Sequence, residues 1–158
     1  MPNHFDSDGN AHMVDVSAKA ITQREALATA DIQMQLETAD LIRRGEAAKG
    51  DVLAVARIAA IQSTKLTQQL IPLCHSIPIE SVSVEFEWLG PSQLRCSVRV
   101  GTSGKTGVEM EAMTGASVAA LTVYDMVKSV DRELAIGPVV LQEKSGGKSG
   151  KFRRNTAN

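Results

Sequence analysis

Between Gly104 and Arg132 the chain reads GKTGVEMEAMTGASVAALTVYDMVKSVDR, the longest unbroken helical pattern it contains. Ala112, Met113, Ala116, Ala119 and Ala120 recur there at helical spacing among small or apolar neighbours. A helix so apolar along its middle has to be buried, so the rest of the chain must supply the layers that cover it. Its ends are charged nonetheless: Glu109 and Glu111 stand at the start, Asp125 and Lys128 near the finish. Glu111 and Asp125 are about four turns apart, so they share a face but lie roughly 21 Å from one another along a continuous helix. Either the helix breaks near Thr114-Gly115, or two subunits each bring one end to a common site. We expect the shared site.

The other segments supply the covering layers. Arg24 to Met34 is rich in helix formers, yet Ala26, Ala28, Ala30, Ile32 and Met34 alternate strictly, which is the period of a strand. Leu36 to Arg44 reads as a short helix closed by Gly45 in the left-handed region. Asp51 is placed to cap a second helix, along which Val52, Val55, Ala56, Ala59, Leu66 and Leu70 form one apolar stripe up to Pro72. Val82, Val84, Phe86 and Trp88 then alternate with polar residues, turn at Gly90-Pro91-Ser92, and return as Leu94, Cys96, Val98 and Val100. Pairing Trp88 with Leu94 sets Glu87 opposite Arg95, a favourable cross-strand pair. A last apolar run from Leu134 to Leu141 contains Pro138 and so belongs at a sheet edge. The order predicts an α+β fold, a ferredoxin-like βαββαβ antiparallel sheet with one additional helix. Helices on one face leave the other in need of cover, so an oligomer is expected.

Length and composition bound the function. The 158 residues suit a single domain, with 1–12 and 145–158 expected to be flexible. A net charge of −1 argues against a general nucleic-acid binder, while leaving room for one small anionic ligand in a local basic pocket. Aromatic residues make up 3%, too few for a base-stacking platform. The apolar runs are short for a membrane span, and the only cysteines, Cys74 and Cys96, form no CxxC pair, which fits a reducing cytoplasm.

Few residues carry a chemical signal of their own. Gly101 to Thr106 resembles a phosphate loop entering a helix, but only two residues separate Gly101 from Gly104, where the Walker pattern needs four before Gly-Lys-Ser/Thr. Thr106 and Glu109 have the spacing of a capping box instead. Cys74-His75 follows the helix-ending Pro72, where binding residues gather, but no third ligand stands at metal spacing. His4 and His12 fall in a polar segment and are expected to be solvated. Asp125 and Lys128, one turn apart and set among Tyr124, Met126 and Val127, are a carboxylate and an ammonium that could divide acid and base roles. Lys144, Lys148 and Lys151 lie among glycines and serines, the composition of a cationic loop that closes on phosphate and equally of a solvated basic tail.

Taken together, His12-Met13-Val14-Asp15-Val16-Ser17, Lys49-Gly50-Asp51, Leu70-Ile71-Pro72-Leu73-Cys74-His75, Gly104 to Ala112, Tyr124-Asp125-Met126 and Lys144 to Gly150 closely resemble the MoaC family, molybdenum cofactor biosynthesis protein C. The likeness runs in order over nearly the whole chain. It implies a cyclic pyranopterin monophosphate synthase, a lyase that rearranges cyclised dihydro-GTP with release of pyrophosphate. Its substrate would come from the radical-SAM partner MoaA. It further implies a ferredoxin-like fold, a hexamer with sites at dimer interfaces, and no cofactor. Position by position, the resemblance makes Asp125 the catalytic residue and Lys128 its partner. Leu73, Cys74 and His75 would form one substrate-binding segment, Met110 and Glu111 the other. Lys49, Lys144 and Lys148 match basic residues expected at the purine-derived ring or the triphosphate, and Arg24 matches a further binding position. Ser76 replaces a common proline and Val127 a frequent cysteine, departures that leave these residues in place. Two other readings compete: a non-catalytic nucleotide-binding oligomer using the degenerate loop at Gly101 to Thr106, and a structural oligomer whose charged helix ends are interface ion pairs.

Overall fold

The structure is a computed structural model that describes residues 4–155. The expected flexible ends therefore fall partly outside the described residues. The elements run β1 (Thr22–Gln33), α1 (Leu36–Arg44), α2 (Val52–Thr64), α3 (Thr67–Leu70), β2 (Ser81–Trp88), β3 (Gln93–Gly104), α4 (Glu109–Val127), β4 (Ala135–Ser145) and β5 (Phe152–Arg153). The strands form one antiparallel sheet in the order β2-β3-β1-β4-β5. Setting aside the short β5, α1 and the four-residue α3, this is the βαββαβ arrangement that the element order predicts.

Alternation decides the core. Ala26, Ala28, Ala30 and Ile32 of β1, and Leu94, Cys96, Val98 and Val100 of β3, turn one buried face toward the helices. Against them α4 sets Ala112, Ala116, Ala119, Ala120 and Val123, while α2, with Ala56 and Ala60, packs on α4 and β2, all of these side chains being buried. Side chains this small let α4 approach both layers closely. At Gly115 an added Cβ would lie 2.9 Å from Val98 Cγ1 and 3.0 Å from Thr64 Cγ2, so only glycine fits where α4 runs closest to its neighbours. That glycine interrupts nothing. The helix is continuous from Glu109 to Val127, which removes the alternative of a break near Thr114-Gly115.

The opposite sheet face is polar and cross-linked. Arg95 grips Asp31 with two hydrogen bonds of 2.6 and 2.8 Å, Arg99 donates to Glu25 at 2.6 Å, and Gln142 donates to Thr29 at 2.8 Å. The β2–β3 register sets Trp88 opposite Leu94 and Glu87 opposite Arg95, as the turn predicts. The Arg95 guanidinium nevertheless reaches across to β1, because buried Asp31 offers a bidentate partner and exposed Glu87 does not.

One expectation needs correction. The stripe drawn from Asp51 to Pro72 is split, since the chain tightens at Lys65 and Leu66 into bonds to Gln62 and Ser63. The cause is local: Ser63, Thr64 and Thr67 turn their hydroxyls back onto carbonyls of the preceding turn, which bends a helix. The buried face is Val52, Ala56, Ala60, Ser63 and Thr67, leaving Val55 and Leu70 exposed. The edge assignment of Pro138 holds along most of β4, because β5 pairs only with Glu143 and Lys144.

Candidate active site

The start of α4 opens on a cavity of about 360 Å³. Leu73, Cys74 and His75 line it from the connector after α3, Met110 and Glu111 from the helix, and Val14 and Val16 from the N-terminal segment. Glu111 is buried, and burial pushes its carboxyl up, with the neighbouring Glu109 charge adding to the effect. Burial also raises the Cys74 thiol, and the Glu111 charge raises it further. Cys74 is therefore a thiol and not a ready nucleophile. His75 Nε2 lies 2.6 Å from the Val14 carbonyl oxygen. A carbonyl only accepts, so Nε2 carries the proton and Nδ1 is left as the acceptor of the neutral ring.

At the other end of α4 a second cavity, about 240 Å³, is lined by Lys49, Tyr124, Asp125, Lys128, Ser129 and Arg132. Lys128 Nζ donates to Asp125 Oδ1 at 2.7 Å, and Lys49 Nζ donates to Oδ2 and to the backbone oxygen of the same residue, both at 2.9 Å. The hydrogen bonds from Lys128 and then Lys49 hold the Asp125 carboxyl down at about 2, while the carboxylate raises the Lys128 ammonium. Both groups are thus firmly charged. One acid among three cationic side chains leaves an excess of positive charge in a concave site, which suits a phosphate-bearing ligand.

The remaining predicted residues are dispersed. Arg24 donates to the Gly104 and Lys105 carbonyls at 3.3 and 3.4 Å, and its guanidinium lies directly over Gly147, which adopts a positive φ of 72°. Lys144 is half-buried, bonded to Ser149 and 3.5 Å from Glu109, which ties it to the first cavity. Lys148 is exposed. The fold therefore groups Leu73, Cys74, His75, Met110 and Glu111 at one end, and Lys49, Asp125 and Lys128 at the other. Arg132 and Lys19 line these cavities as well and were not singled out from the sequence. An isolated basic residue carries no signal until the fold brings it to a site. Among the described residues, no three of His, Cys, Asp and Glu are grouped to hold a metal ion.

The motifs before α4 are not what their spacing suggests. Gly101 to Gly104 continue β3, with Gly101 paired to Glu25 and Ser81, so there is no loop to wrap a phosphate. Nor does Thr106 cap the helix: the N-cap position is Val108, without a side-chain bond, and Glu109 turns toward Lys144.

An α+β sandwich with a buried helix presenting charged groups at both ends defines the class: a two-layer protein whose candidate small-ligand sites flank one helix. The MoaC family model matches residues 13–147, and the chain belongs to the MoaC family. Curated relatives agree over nearly their full length. A cyclic pyranopterin monophosphate synthase of Rhodopirellula baltica is 56% identical over 97% of this chain and 93% of its own. The synthase of Herpetosiphon aurantiacus is 54% identical over 97% and 94%, and that of Brevibacillus brevis 50% over 96% and 94%.

Proposed function

We propose that this protein is a cyclic pyranopterin monophosphate synthase, a lyase that converts cyclised dihydro-GTP (3',8-cyclo-7,8-dihydro-GTP) to cyclic pyranopterin monophosphate and releases pyrophosphate. The observation that carries the reading is Asp125 held between two ammonium groups in a cavity with a surplus of positive charge. Such a carboxylate is ionised and has no proton to give near neutral pH, so the proton donor of the pair is Lys128 and the acceptor Asp125. A substrate phosphate competes with Asp125 for Lys49 and Lys128. As it draws one ammonium away, the carboxylate loses a bond that depresses its pKa and becomes the stronger base. Lys49 and Lys128, with Lys144, Lys148 and Arg24, neutralise the departing pyrophosphate.

Leu73, Cys74, His75, Met110 and Glu111 bind the rest of the substrate. Because they stand at the far end of a continuous α4, we place them beside the Asp125 end of a second protomer, in a homo-oligomer taken to be a hexamer of single-domain chains. Val55, Ile58 and Leu121 are apolar and well exposed on α2 and α4, which supports such assembly. A MoaA-type partner would supply the substrate, in the cytoplasm. No helix among the described residues is long and apolar enough to cross a membrane.

The test is pyrophosphate release from cyclised dihydro-GTP. The wild type should release it, and Asp125→Asn and Lys128→Ala should abolish release while leaving the assembly intact. A wild type without release sinks the reading.

A further inference from the structure

Lys105, the residue that the degenerate phosphate loop would aim at a nucleotide, is occupied elsewhere. Its Nζ donates to the Ser17 carbonyl oxygen at 2.6 Å, far back in the chain. Asp15 also lies within the electrostatic reach of Lys105. The segment it holds is bonded within itself: Asp15 accepts from the Ser17 backbone N–H at 2.8 Å and from the Ser17 hydroxyl at 3.0 Å, and Lys19 N–H closes a turn on Val16. Val14 and Val16 face inward and line the first cavity, while Met13, Asp15 and Ser17 face out. One end of this strap is tied to Lys105 and the other to His75, through the 2.6 Å bond to the Val14 carbonyl. Lys105 itself is fixed from behind, since Arg24 holds the carbonyls of Gly104 and Lys105.

We infer that Lys105 is a positioning residue: it holds residues 14–17 against the cavity so that the Val14 carbonyl selects the Nε2–H tautomer of His75 and aims Nδ1 as an acceptor. The tautomer matters because the carbonyl bond constrains the ring, and a neutral imidazole without it exchanges its proton between the two nitrogens. A substrate donor meeting Nδ1 finds an acceptor only in the selected form. The expectation that His75 binds substrate rests on the proposed function; the tautomer does not.

The experiment reads both. With three histidines in the chain, nitrogen-15 spectra of the imidazoles can be assigned by comparing wild type with His75→Gln. Spectra are taken at about pH 8, where an ordinary imidazole is neutral. The wild type should show His75 as the Nε2–H form. Lys105→Met keeps the aliphatic stem and removes the donor; it should let the Nδ1–H form appear and lower kcat/KM by on the order of ten- to a hundredfold. Lys105→Arg, which restores a cation with N–H donors, should recover most of both. A folded Lys105→Met variant with an unchanged His75 tautomer overturns the inference, even if its activity is lost, because Lys105 would then act on the substrate directly. A wild type without pyrophosphate release overturns the proposed function and leaves the tautomer result standing.

Discussion

Asp125 is exposed, yet its carboxyl is held at about 2 by two ammonium donors. The chemistry thus sits in a pair of hydrogen bonds and not in burial. A carboxylate depressed in the folded state favours folding above its unfolded pKa, and that contribution is lost as pH falls through the folded value. For Asp125 the window runs from about pH 4 down to about pH 2, well below physiological pH. Its charge in the free protein is therefore constant near neutral pH, so an acid-side loss of free-enzyme activity points to another group, with Glu111 the candidate whose carboxyl is raised. A carbon-13 titration of the Asp125 carboxyl should give a midpoint of about 2, moving back toward 3.8 in Lys128→Met. A midpoint that stays put in that variant would mean that Lys128 is not the dominant partner. Asp125 and Lys128 were legible as a pair from their spacing of three. The second ammonium, from Lys49, was not, because the contact joins positions 76 residues apart and depends on how α2 and α4 pack.

Elements are joined by contacts of the same kind. Gln35, at the N-cap of α1, offers no side-chain cap. Its role passes to Asp131, beyond the end of α4, which accepts from Gln35 N–H at 2.8 Å, from the Thr38 hydroxyl at 3.2 Å and from Glu133 N–H at 3.1 Å. Asp131 is buried at 1% exposure, so removing it strands donors that water cannot reach. Asp131→Ala should cost about 2–4 kcal/mol, the sum of a lost cap and buried unpaired groups. Urea unfolding at fixed protomer concentration checks this, as a lower midpoint with unchanged slope. A loss under about 0.5 kcal/mol, as for an ordinary surface change, would refute the cross-chain cap. Element by element, strands were the most readable part of the sequence. Strict alternation in Ala26 to Met34 outweighed a helix-forming composition, and the hairpin register followed from one turn. Helix faces were less readable. Val55 and Leu70 look like core residues because an apolar side chain has the same hydropathy on an exposed face as in a core. The capping box failed for a related reason: spacing shows where Thr106 and Glu109 could meet, but not that Lys144 competes for Glu109.

At the scale of the whole molecule, the fold separates two groups of site residues that the proposed chemistry needs together. A straight α4 keeps Glu111 and Asp125 roughly 21 Å apart, and its small residues, locked between α2 and the sheet, leave no room for a kink that would shorten the distance. If each working site takes one end from each of two protomers, two different knockouts can rescue one another. A Glu111→Ala protomer still brings an intact Asp125 end, and an Asp125→Asn protomer an intact Glu111 end. In a mixed assembly some interfaces combine the two intact ends, while others combine both lesions. With random mixing at equal amounts, a quarter of the sites should be whole, so activity should return to about one quarter of wild type from two inactive parents. The mixture must first exchange subunits, which mass spectrometry of differently labelled protomers can establish. Proven exchange without recovered activity would place the whole site inside one protomer and require α4 to bend when substrate binds.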